Sequence, residues 1–245
     1  MKLLSQLLDI IYPRRCPLCG RFLSTIENRH VPHPICEICL QALMPIAHPM
    51  CTVCGIPFST PIGTDHLCEN CLRKRPWYDF VRAPYLYSGP LMNAIQRFKY
   101  NSETHLSSSL GTLLSSFARE CIPKPEDFVI VPVPLHRQRL KERGFNQSLL
   151  LAKVLASQLG TQLDYLSLIR RKYTQSQTGL GKEERRKNVA NAFAITSTKI
   201  FMDKNILLID DVLTTGHTLN ECSRILKKSG ALKVICLALA RTQGD

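Results

Sequence analysis

Two adjacent carboxylates, Asp210 and Asp211, stand between an apolar run and a short loop of threonine and glycine, all within residues 206–218 (ILLIDDVLTTGHT). Four consecutive apolar residues are too few for a typical helix and suit a buried parallel strand. We therefore expect this strand to end at the acidic pair, which is where open α/β sheets bind their ligands. Paired carboxylates suit ribose hydroxyls, or a hydrated Mg²⁺ that is shared with a phosphate.

The loop after the acidic pair has the composition of a phosphate site. It consists of Thr214, Thr215, Gly216, His217 and Thr218, and it leads into a predicted helix. Small residues before a helix N-terminus offer backbone N–H groups, hydroxyls and a favourable dipole to a phosphate. The alternative is an ordinary buried strand that ends in an acidic turn. The strand with its acidic pair, or the Thr/Gly loop, would favour this alternative if it stood alone. Both halves in this order predict a sugar site beside a phosphate site.

This segment resembles the phosphoribosyl-pyrophosphate (PRPP) signature of type I phosphoribosyltransferases. The resemblance implies that Asp210 and Asp211 hold the ribose hydroxyls and that the Thr/Gly loop wraps the 5′-phosphate. His217 occupies a variable position of the signature, so only its backbone is assigned a role. The resemblance also implies that Mg²⁺ binds together with PRPP.

Eight of the eleven cysteines precede residue 72 and form four C-x-x-C pairs. Two such pairs complete a tetrahedral Cys₄ site, and the intervals between them, 16 and 13 residues, are close to that of a zinc ribbon. We predict two structural Zn²⁺ sites, the first on Cys16, Cys19, Cys36 and Cys39 and the second on Cys51, Cys54, Cys68 and Cys71.

Other arrangements of these cysteines stay open at this point. The pairs could be interleaved, because the sequence does not decide which pairs share a metal. A disulfide framework is disfavoured, since no export signal is recognisable and a reducing compartment is therefore expected. A region this short lacks a core of its own, so we expect metal binding to fold it.

Two basic segments could neutralise a polyphosphate in a chain whose formal net charge is +13. The first, RQRLKER at 137–143, follows a strand whose regular pairing should end at Pro132 and Pro134. The second, KEERRK at 182–187, lies in a polar loop that could close over a bound diphosphate. Solvated surface charge is the alternative for the first, and a nucleic-acid-binding arm or a flexible surface loop for the second. The predicted pyrophosphate residues are Arg137, Arg139, Lys141, Arg143, Lys182 and Arg185.

The remaining sequence predicts the elements that position these residues. Residues 1–13 have the spacing of an amphipathic helix, residues 14–75 form the double ribbon, and residues 76–245 alternate strands with helices. Trp77 is a candidate packing anchor at the joint between the ribbons and the α/β domain. Alternating strands and helices predict an α/β fold, a parallel sheet with helices on both faces, which the resemblance specifies as type I phosphoribosyltransferase-like. No stretch reaches the length of a membrane span.

The order of motifs along nearly the whole chain resembles one particular family. The double ribbon is followed by RFKY (97–100), PVPLHRQRLKERGFNQ (132–147), QTGLGKEERRKNVANAF (177–193) and the PRPP signature. This order resembles the ComF/GntX family of competence-associated phosphoribosyltransferase-like proteins, with RGFNQ (143–147) as its most distinctive part. The resemblance implies a cytoplasmic bacterial protein with a role in natural transformation or the use of external DNA.

Three hypotheses for function follow. The first is Mg²⁺-dependent phosphoribosyl transfer to an unknown acceptor, with Asp210, Asp211 and Arg143 as the catalytic residues; Gly144 allows close backbone approach beside Arg143. The second is a PRPP-responsive adaptor that binds single-stranded DNA, a competence helicase or a recombination-mediator protein, although the ribbon segment has few aromatics for base stacking. The third is a scaffold whose ligand site is vestigial.

Overall fold

The computed structural model describes residues 15–23, 35–60, 62–173 and 190–243. The predicted N-terminal helix at 1–13 and most of the second basic loop, including Lys182 and Arg185, lie outside the described residues.

The centre of the molecule is a parallel sheet in which strand β7 pairs with three other strands. The strands in chain order are β1 (Phe80–Arg82), β2 (Tyr85–Leu86), β3 (Phe128–Pro132), β4 (Leu168–Arg170), β5 (Phe193–Ile195), β6 (Asn205–Leu213) and β7 (Lys233–Arg241). The sheet order is β1-β7-β6-β3, and β2 continues beside the end of β7. Strands β4 and β5 form a separate antiparallel pair.

Helices cover both faces of this sheet. In chain order they are α1 (Glu37–Gln41), α2 (Glu69–Arg73), α3 (Gly89–Tyr100), α4 (Leu106–Cys121), α5 (Arg137–Arg143), α6 (Gln147–Leu159) and α7 (His217–Lys228). On one face, Leu207 and Ile209 of β6 pack in a core with α3, α4 and α6. On the other face, Ile206 and Leu208 pack in a core with α7. The predicted parallel sheet with helices on both faces is confirmed.

The alternation of β6 between the two cores explains its sequence. All four residues of its apolar run are fully buried, because the strand has neighbours on both sides and helices on both faces. The same alternation places Asp211 on the face of Leu207 and Ile209. Asp211 therefore lies within reach of the helices that cover this face.

Two details of the fold differ from the sequence-based expectations, and a third is decided by a proline. Strand β6 continues past the acidic pair to Leu213, because β7 still pairs with it there, whereas its pairing with β3 ends at Ile209. The segment 80–89 is divided into β1 and β2 around Pro84, which has no N–H to donate and whose carbonyl accepts from Ile46. Helix α7 begins at His217 rather than after Thr218.

The joint between the ribbons and the α/β domain is also anchored differently. The side chain of Trp77 is 46% exposed, while the neighbouring Tyr78 is 5% exposed within the α7-side core. Trp77 contributes its backbone N–H, which donates to the Asn220 side chain over 2.7 Å. Tyr78 is therefore the packing anchor that the sequence assigned to Trp77.

Among the described residues, no helix is both long enough and apolar enough to cross a membrane.

Candidate functional site

The acidic pair is held from the side of the sheet that α3 covers. Lys99 of α3 places its ammonium nitrogen 3.0 Å from an Asp211 carboxylate oxygen, and both side chains are largely buried, at 16% and 5% exposure. Burial alone would lower the pKa of Lys99, but the charges of Asp211 and Asp210 and a hydrogen bond to Asp211 raise it. Lys99 therefore stays protonated and neutralises Asp211.

Asp210 is held by helix α6. The hydroxyl of Ser148, in the first turn of α6, donates to Asp210 over 3.0 Å, and the Asp211 backbone N–H donates to the same oxygen over 2.9 Å. Burial and the charge of Asp211 raise the pKa of Asp210 to about 7, although Lys99 and these donors oppose the rise. Near neutral pH Asp210 is therefore partly protonated, and a bound cation would displace this proton.

Two motifs far apart in sequence meet beside this pair. Arg143, at the end of α5, donates to the Gln147 side chain over 2.7 Å, and its guanidinium lies 5.4 Å from the Tyr100 ring centre. The Phe145 ring packs against Phe98, with 5.7 Å between ring centres. RFKY at the end of α3 and RGFNQ at the α5–α6 junction therefore pack against each other, and Lys99 of the first motif and Ser148, directly after the second, contact the acidic pair.

The α5–α6 junction folds as its sequence dictates. Gly144 takes a left-handed conformation, with φ +82°, which ends α5 at low cost. Asn146 then caps α6, since its side chain accepts from the Ser148 N–H over 3.0 Å and donates to the Val133 carbonyl over 3.1 Å. These bonds fix the first turn of α6, and with it the hydroxyl that contacts Asp210.

The predicted phosphate loop leads directly into α7. Its five residues, 214–218, are all partly exposed. Gly216 has φ +74° at the N-terminal boundary of α7, and a methyl group there would lie 3.5 Å from the Tyr78 hydroxyl. The helix N-terminus and the acidic pair are thus adjacent on one strand–loop–helix unit, an arrangement that suits an anion beside a cation or a sugar.

The structure brings together only some of the basic residues predicted for the site. Arg143 lies against Tyr100 and Gln147, as described above. Arg139 instead forms a 3.2 Å ion pair with Glu142, and Arg137 and Lys141 are exposed on α5. The assignment of these residues to pyrophosphate remains a prediction.

Lys99 and Ser148 were not assigned roles from the sequence, although both contact the acidic pair. The sequence signal that could have pointed to them is their position: Lys99 lies within the RFKY motif, and Ser148 directly follows RGFNQ. Neither contact is predictable from spacing, because the two residues lie 112 and 62 positions from their partners.

The eight cysteines of the C-x-x-C pairs form two compact clusters in the predicted sequential arrangement. In each cluster, all four sulfur atoms lie within 4.8 Å of one another. We name the first cluster ribbon 1 (Cys16, Cys19, Cys36, Cys39) and the second ribbon 2 (Cys51, Cys54, Cys68, Cys71). The interleaved alternative is therefore wrong.

The sulfur geometry fits zinc rather than disulfides. Cys19 and Cys36 are separated by 3.7 Å between sulfurs, and Cys54 and Cys68 by 3.6 Å. A tetrahedral site with Zn–S bonds of about 2.3 Å requires sulfurs about 3.8 Å apart, whereas a disulfide requires about 2.05 Å. Burial would raise the pKa of Cys51, but backbone N–H donors from Cys68, Cys54 and Val53 lower it to about 6, which favours the thiolate that binds metal. The residues present fit two structural Zn²⁺ ions.

Comparison with known proteins agrees with this architecture. Residues 7–72 match the Double zinc ribbon domain family and residues 146–244 match the Phosphoribosyl transferase domain family. A solved purine phosphoribosyltransferase from Pyrococcus horikoshii aligns with 55% of this chain and 82% of its own, at 22% identity, but a TM-score of 0.34 makes this likeness too weak to support an argument.

Curated relatives match over most of the chain. Competence protein F of Haemophilus influenzae is 35% identical, with 93% of this chain and 96% of that protein covered. DNA utilization protein YhgH of Escherichia coli K12 is 32% identical over 85% of this chain and 90% of its own. Competence protein ComFC of Bacillus subtilis is 30% identical over 85% and 84%. The chain therefore belongs to the ComF/GntX family of competence-associated proteins, which join a double zinc ribbon to a phosphoribosyltransferase-like domain.

Proposed function

We propose that this protein binds PRPP together with Mg²⁺ at the acidic pair and the adjoining loop, and that it transfers the phosphoribosyl group to an acceptor in natural competence or DNA use. The observation that carries the proposal is the acidic pair, which Lys99 and Ser148 contact beside a helix N-terminus. The names of its relatives support the cellular role. We also propose that the chain divides into an N-terminal helix (1–13), a double zinc ribbon (14–75) and a phosphoribosyltransferase-like domain (76–245).

The residues divide the work of PRPP binding by chemistry. Asp210 and Asp211 would accept hydrogen bonds from the ribose hydroxyls, and residues 214–218 would donate to the 5′-phosphate. Mg²⁺, when bound, would screen the diphosphate charge near the carboxylates. Arg143 would stabilise negative charge on the departing diphosphate, and the reaction would rely on positioning more than on a protein nucleophile.

The second candidate function is a PRPP-responsive adaptor that binds single-stranded DNA or a competence partner protein without turnover. A specific feature of ribbon 1 favours it. Phe22 is 55% exposed, and the Arg15 guanidinium lies 4.1 Å from its ring centre. An exposed aromatic ring beside an arginine can stack a base and contact a phosphate.

Calorimetric titration of PRPP with Mg²⁺ into the zinc-loaded protein tests the site. We expect binding by the wild type and at least a hundredfold loss in the Asp210→Asn/Asp211→Asn double variant, whose side chains keep their size but lose their charge. Asp203→Asn, an exposed acid outside the site, is the matched control and should bind as the wild type does. If the wild type and the double variant bind alike, the acidic pair is not the PRPP site.

A second measurement separates the two candidate functions. Release of diphosphate from PRPP, followed with oligonucleotides, nucleobases and partner proteins as added acceptors, should occur with at least one acceptor if the protein is a transferase. Tight PRPP binding without turnover, accompanied by PRPP-dependent affinity for single-stranded DNA that falls steeply with salt, would support the adaptor instead.

A further inference from the structure

We propose that ribbon 1 and the acidic pair are energetically coupled through the last turn of α3, with Arg97 as the positioning residue. Metal bound to ribbon 1 would tighten PRPP binding, and PRPP would in turn tighten metal binding. This inference rests on the PRPP binding proposed above.

The first half of the connection joins α3 to the metal knuckle. A guanidinium nitrogen of Arg97 donates to the carbonyls of Pro17 and Leu18, at 2.6 and 3.0 Å, and these are the two residues between Cys16 and Cys19. A second nitrogen of the same group pairs with Glu103 at 3.3 Å. Leu18 itself is 2% exposed, in the core that also contains Phe98. The turn that places two sulfur ligands is thus bonded directly to α3.

The second half of the connection joins the same turn of α3 to the acidic pair. Lys99 pairs with Asp211, and the Tyr100 ring lies against Arg143, which donates to Gln147. Gln147 precedes Ser148, the donor to Asp210. Residues two positions apart on a helix point about 200° apart. Arg97 therefore faces ribbon 1 while Lys99 faces the site, and the helix turn transmits any displacement between them.

The fully buried Phe98 makes this turn rigid. It is 0% exposed between Arg97 and Lys99, in a core where interiors are close-packed and transmit strain. If the knuckle opens without metal, Arg97 loses both carbonyl acceptors and α3 loses its support on that side. We expect Lys99 to lose its position against Asp211 as a result.

The test compares two arginines that hold the two ribbons in the same way. Arg97→Met removes the donors to the carbonyls of ribbon 1. Arg82→Met removes the matching donor to ribbon 2, because Arg82 donates over 2.9 Å to the carbonyl of Thr52, which lies between Cys51 and Cys54. Among the described residues, Arg82 contacts Thr52, Val81 and Phe80, and none of these residues belongs to the acidic pair.

Calorimetry of PRPP with Mg²⁺ gives the first result. We expect Arg97→Met to weaken PRPP binding by about tenfold, within the range of about 5- to 150-fold that coupled sites show, and Arg82→Met to leave it unchanged. Arg97→Lys, which keeps the charge but not the planar fork, should bind PRPP almost as weakly as Arg97→Met. Thermal melts of each zinc-loaded variant verify that it is folded.

A zinc competition measurement on the wild type supplies an independent result that needs no arginine variant. Zinc is titrated away with a chromophoric chelator that has little affinity for Mg²⁺, with and without PRPP and Mg²⁺. Because coupling is reciprocal, PRPP should raise the affinity of one of the two zinc ions by the factor by which that zinc raises the affinity for PRPP, which we expect to be about tenfold. The Asp210→Asn/Asp211→Asn variant, measured in parallel, corrects for zinc that PRPP itself binds.

The outcomes separate this inference from the proposed function. If the wild type and Arg97→Met bind PRPP with equal affinity, and PRPP does not change the zinc affinities, the coupling is overturned and the proposed function stays intact. An absence of PRPP binding by the wild type overturns both. An equal loss of PRPP affinity in Arg97→Met and Arg82→Met would show general loosening and would also overturn the specific connection.

Discussion

The two ribbons are built from the same local motif but dock on opposite faces of the sheet. The buried cysteines of ribbon 1 share a core with α3, α4 and α6, whereas those of ribbon 2 share a core with β1 and α7. Each first knuckle ends in a left-handed glycine, Gly20 or Gly55. An added methyl group at Gly20 meets nothing within 4 Å, but one at Gly55 would lie 2.7 Å from the Val81 carbonyl.

The difference teaches that two equal metal knuckles can pack against different elements of one domain. The core of ribbon 1 carries Lys99, which contacts the acidic pair. The core of ribbon 2 carries Tyr78, which lies under Gly216 of the phosphate loop. In the part of the chain that the structure describes, the buried cysteines of each ribbon belong to a core shared with the α/β domain, so each ribbon depends on that domain as well as on its metal.

The largest effects are expected from removing one ligand of each ribbon. Cys51→Ser should lower the free energy of unfolding by about 4 kcal/mol or more, since structural zinc contributes about 10 kcal/mol or more to folding in small domains. Cys16→Ser should cost less stability, because ribbon 2 also bonds to the sheet through the Val53 carbonyl and the Val81 N–H, 2.8 Å apart.

Urea denaturation followed by the fluorescence of Trp77, the single tryptophan, measures both changes. Cys121→Ser is the control, because Cys121 belongs to neither cluster. Equal losses for the two ribbon variants would contradict the difference in docking.

Two lysine–aspartate pairs extend the comparison to the two faces. Lys99→Met should cost about 3 kcal/mol, because it leaves the 5%-exposed Asp211 without its countercharge. Lys227→Met, on the ribbon 2 face, removes a 2.9 Å pair with the more exposed Asp79 and should cost no more than about 1 kcal/mol. Urea midpoints of the two variants provide the measurement, and a smaller loss for Lys99→Met would show that Asp211 has other support.

Gly20 and Gly55, which end the first knuckle of each ribbon, allow the docking of the two ribbons to be compared by adding one methyl group to each. Gly20→Ala should cost about 1 kcal/mol, from the left-handed backbone alone. Gly55→Ala should cost about 1–3 kcal/mol more, because the Val81 carbonyl must move or the ribbon must shift. Differential scanning calorimetry of the zinc-loaded variants distinguishes these values; equal melting temperatures would mean that ribbon 2 is not tightly docked on β1.

The last prediction concerns pH and the acidic pair. The pKa of Asp210 is raised to about 7 in the folded protein from an ordinary value of 3.8, so the folded state binds more protons than the unfolded state between these values. Stability from this group is therefore present in acid and is lost as pH rises through about 7.

Asp210→Asn should remove this loss, so the variant should gain stability relative to the ligand-free wild type as pH rises from 5 to 8, by on the order of 2 kcal/mol. Urea midpoints of the variant and the wild type at each pH give the difference in stability. The contributions of the other titrating groups cancel in this difference, because both proteins contain them. A difference that stays constant with pH would mean that Asp210 is ionised throughout this range.

Several features of the molecule were predictable because they depend on neighbours in sequence. Spacing predicted the two sets of four cysteines, and the apolar run of β6 predicted a buried parallel strand beside a carboxylate pair. The helix that follows the Thr/Gly loop was predictable for the same reason, since turns and apolar periodicity are local properties.

Other features were not predictable because they depend on partners distant in the chain. The end of β6 was misplaced, since the length of a strand is decided by the neighbour that pairs with it, and β7 follows only later in the sequence. Trp77 was preferred to Tyr78 as the anchor because side-chain size does not reveal which of two adjacent residues faces a core.

The sequence by itself determined the chemistry of this protein: eight thiols in four C-x-x-C pairs, one acidic pair and one loop suited to phosphate. Only the tertiary structure decided which side chains neutralise the acidic pair and which ones orient it and the metal knuckles. Lys99 reaches Asp211, and Arg97 reaches the carbonyls of ribbon 1, because α3 packs between a metal knuckle and the sheet. Local patterns specify residue types at a spacing, whereas the partner of a buried charge is chosen by packing between segments that the chain keeps about a hundred residues apart.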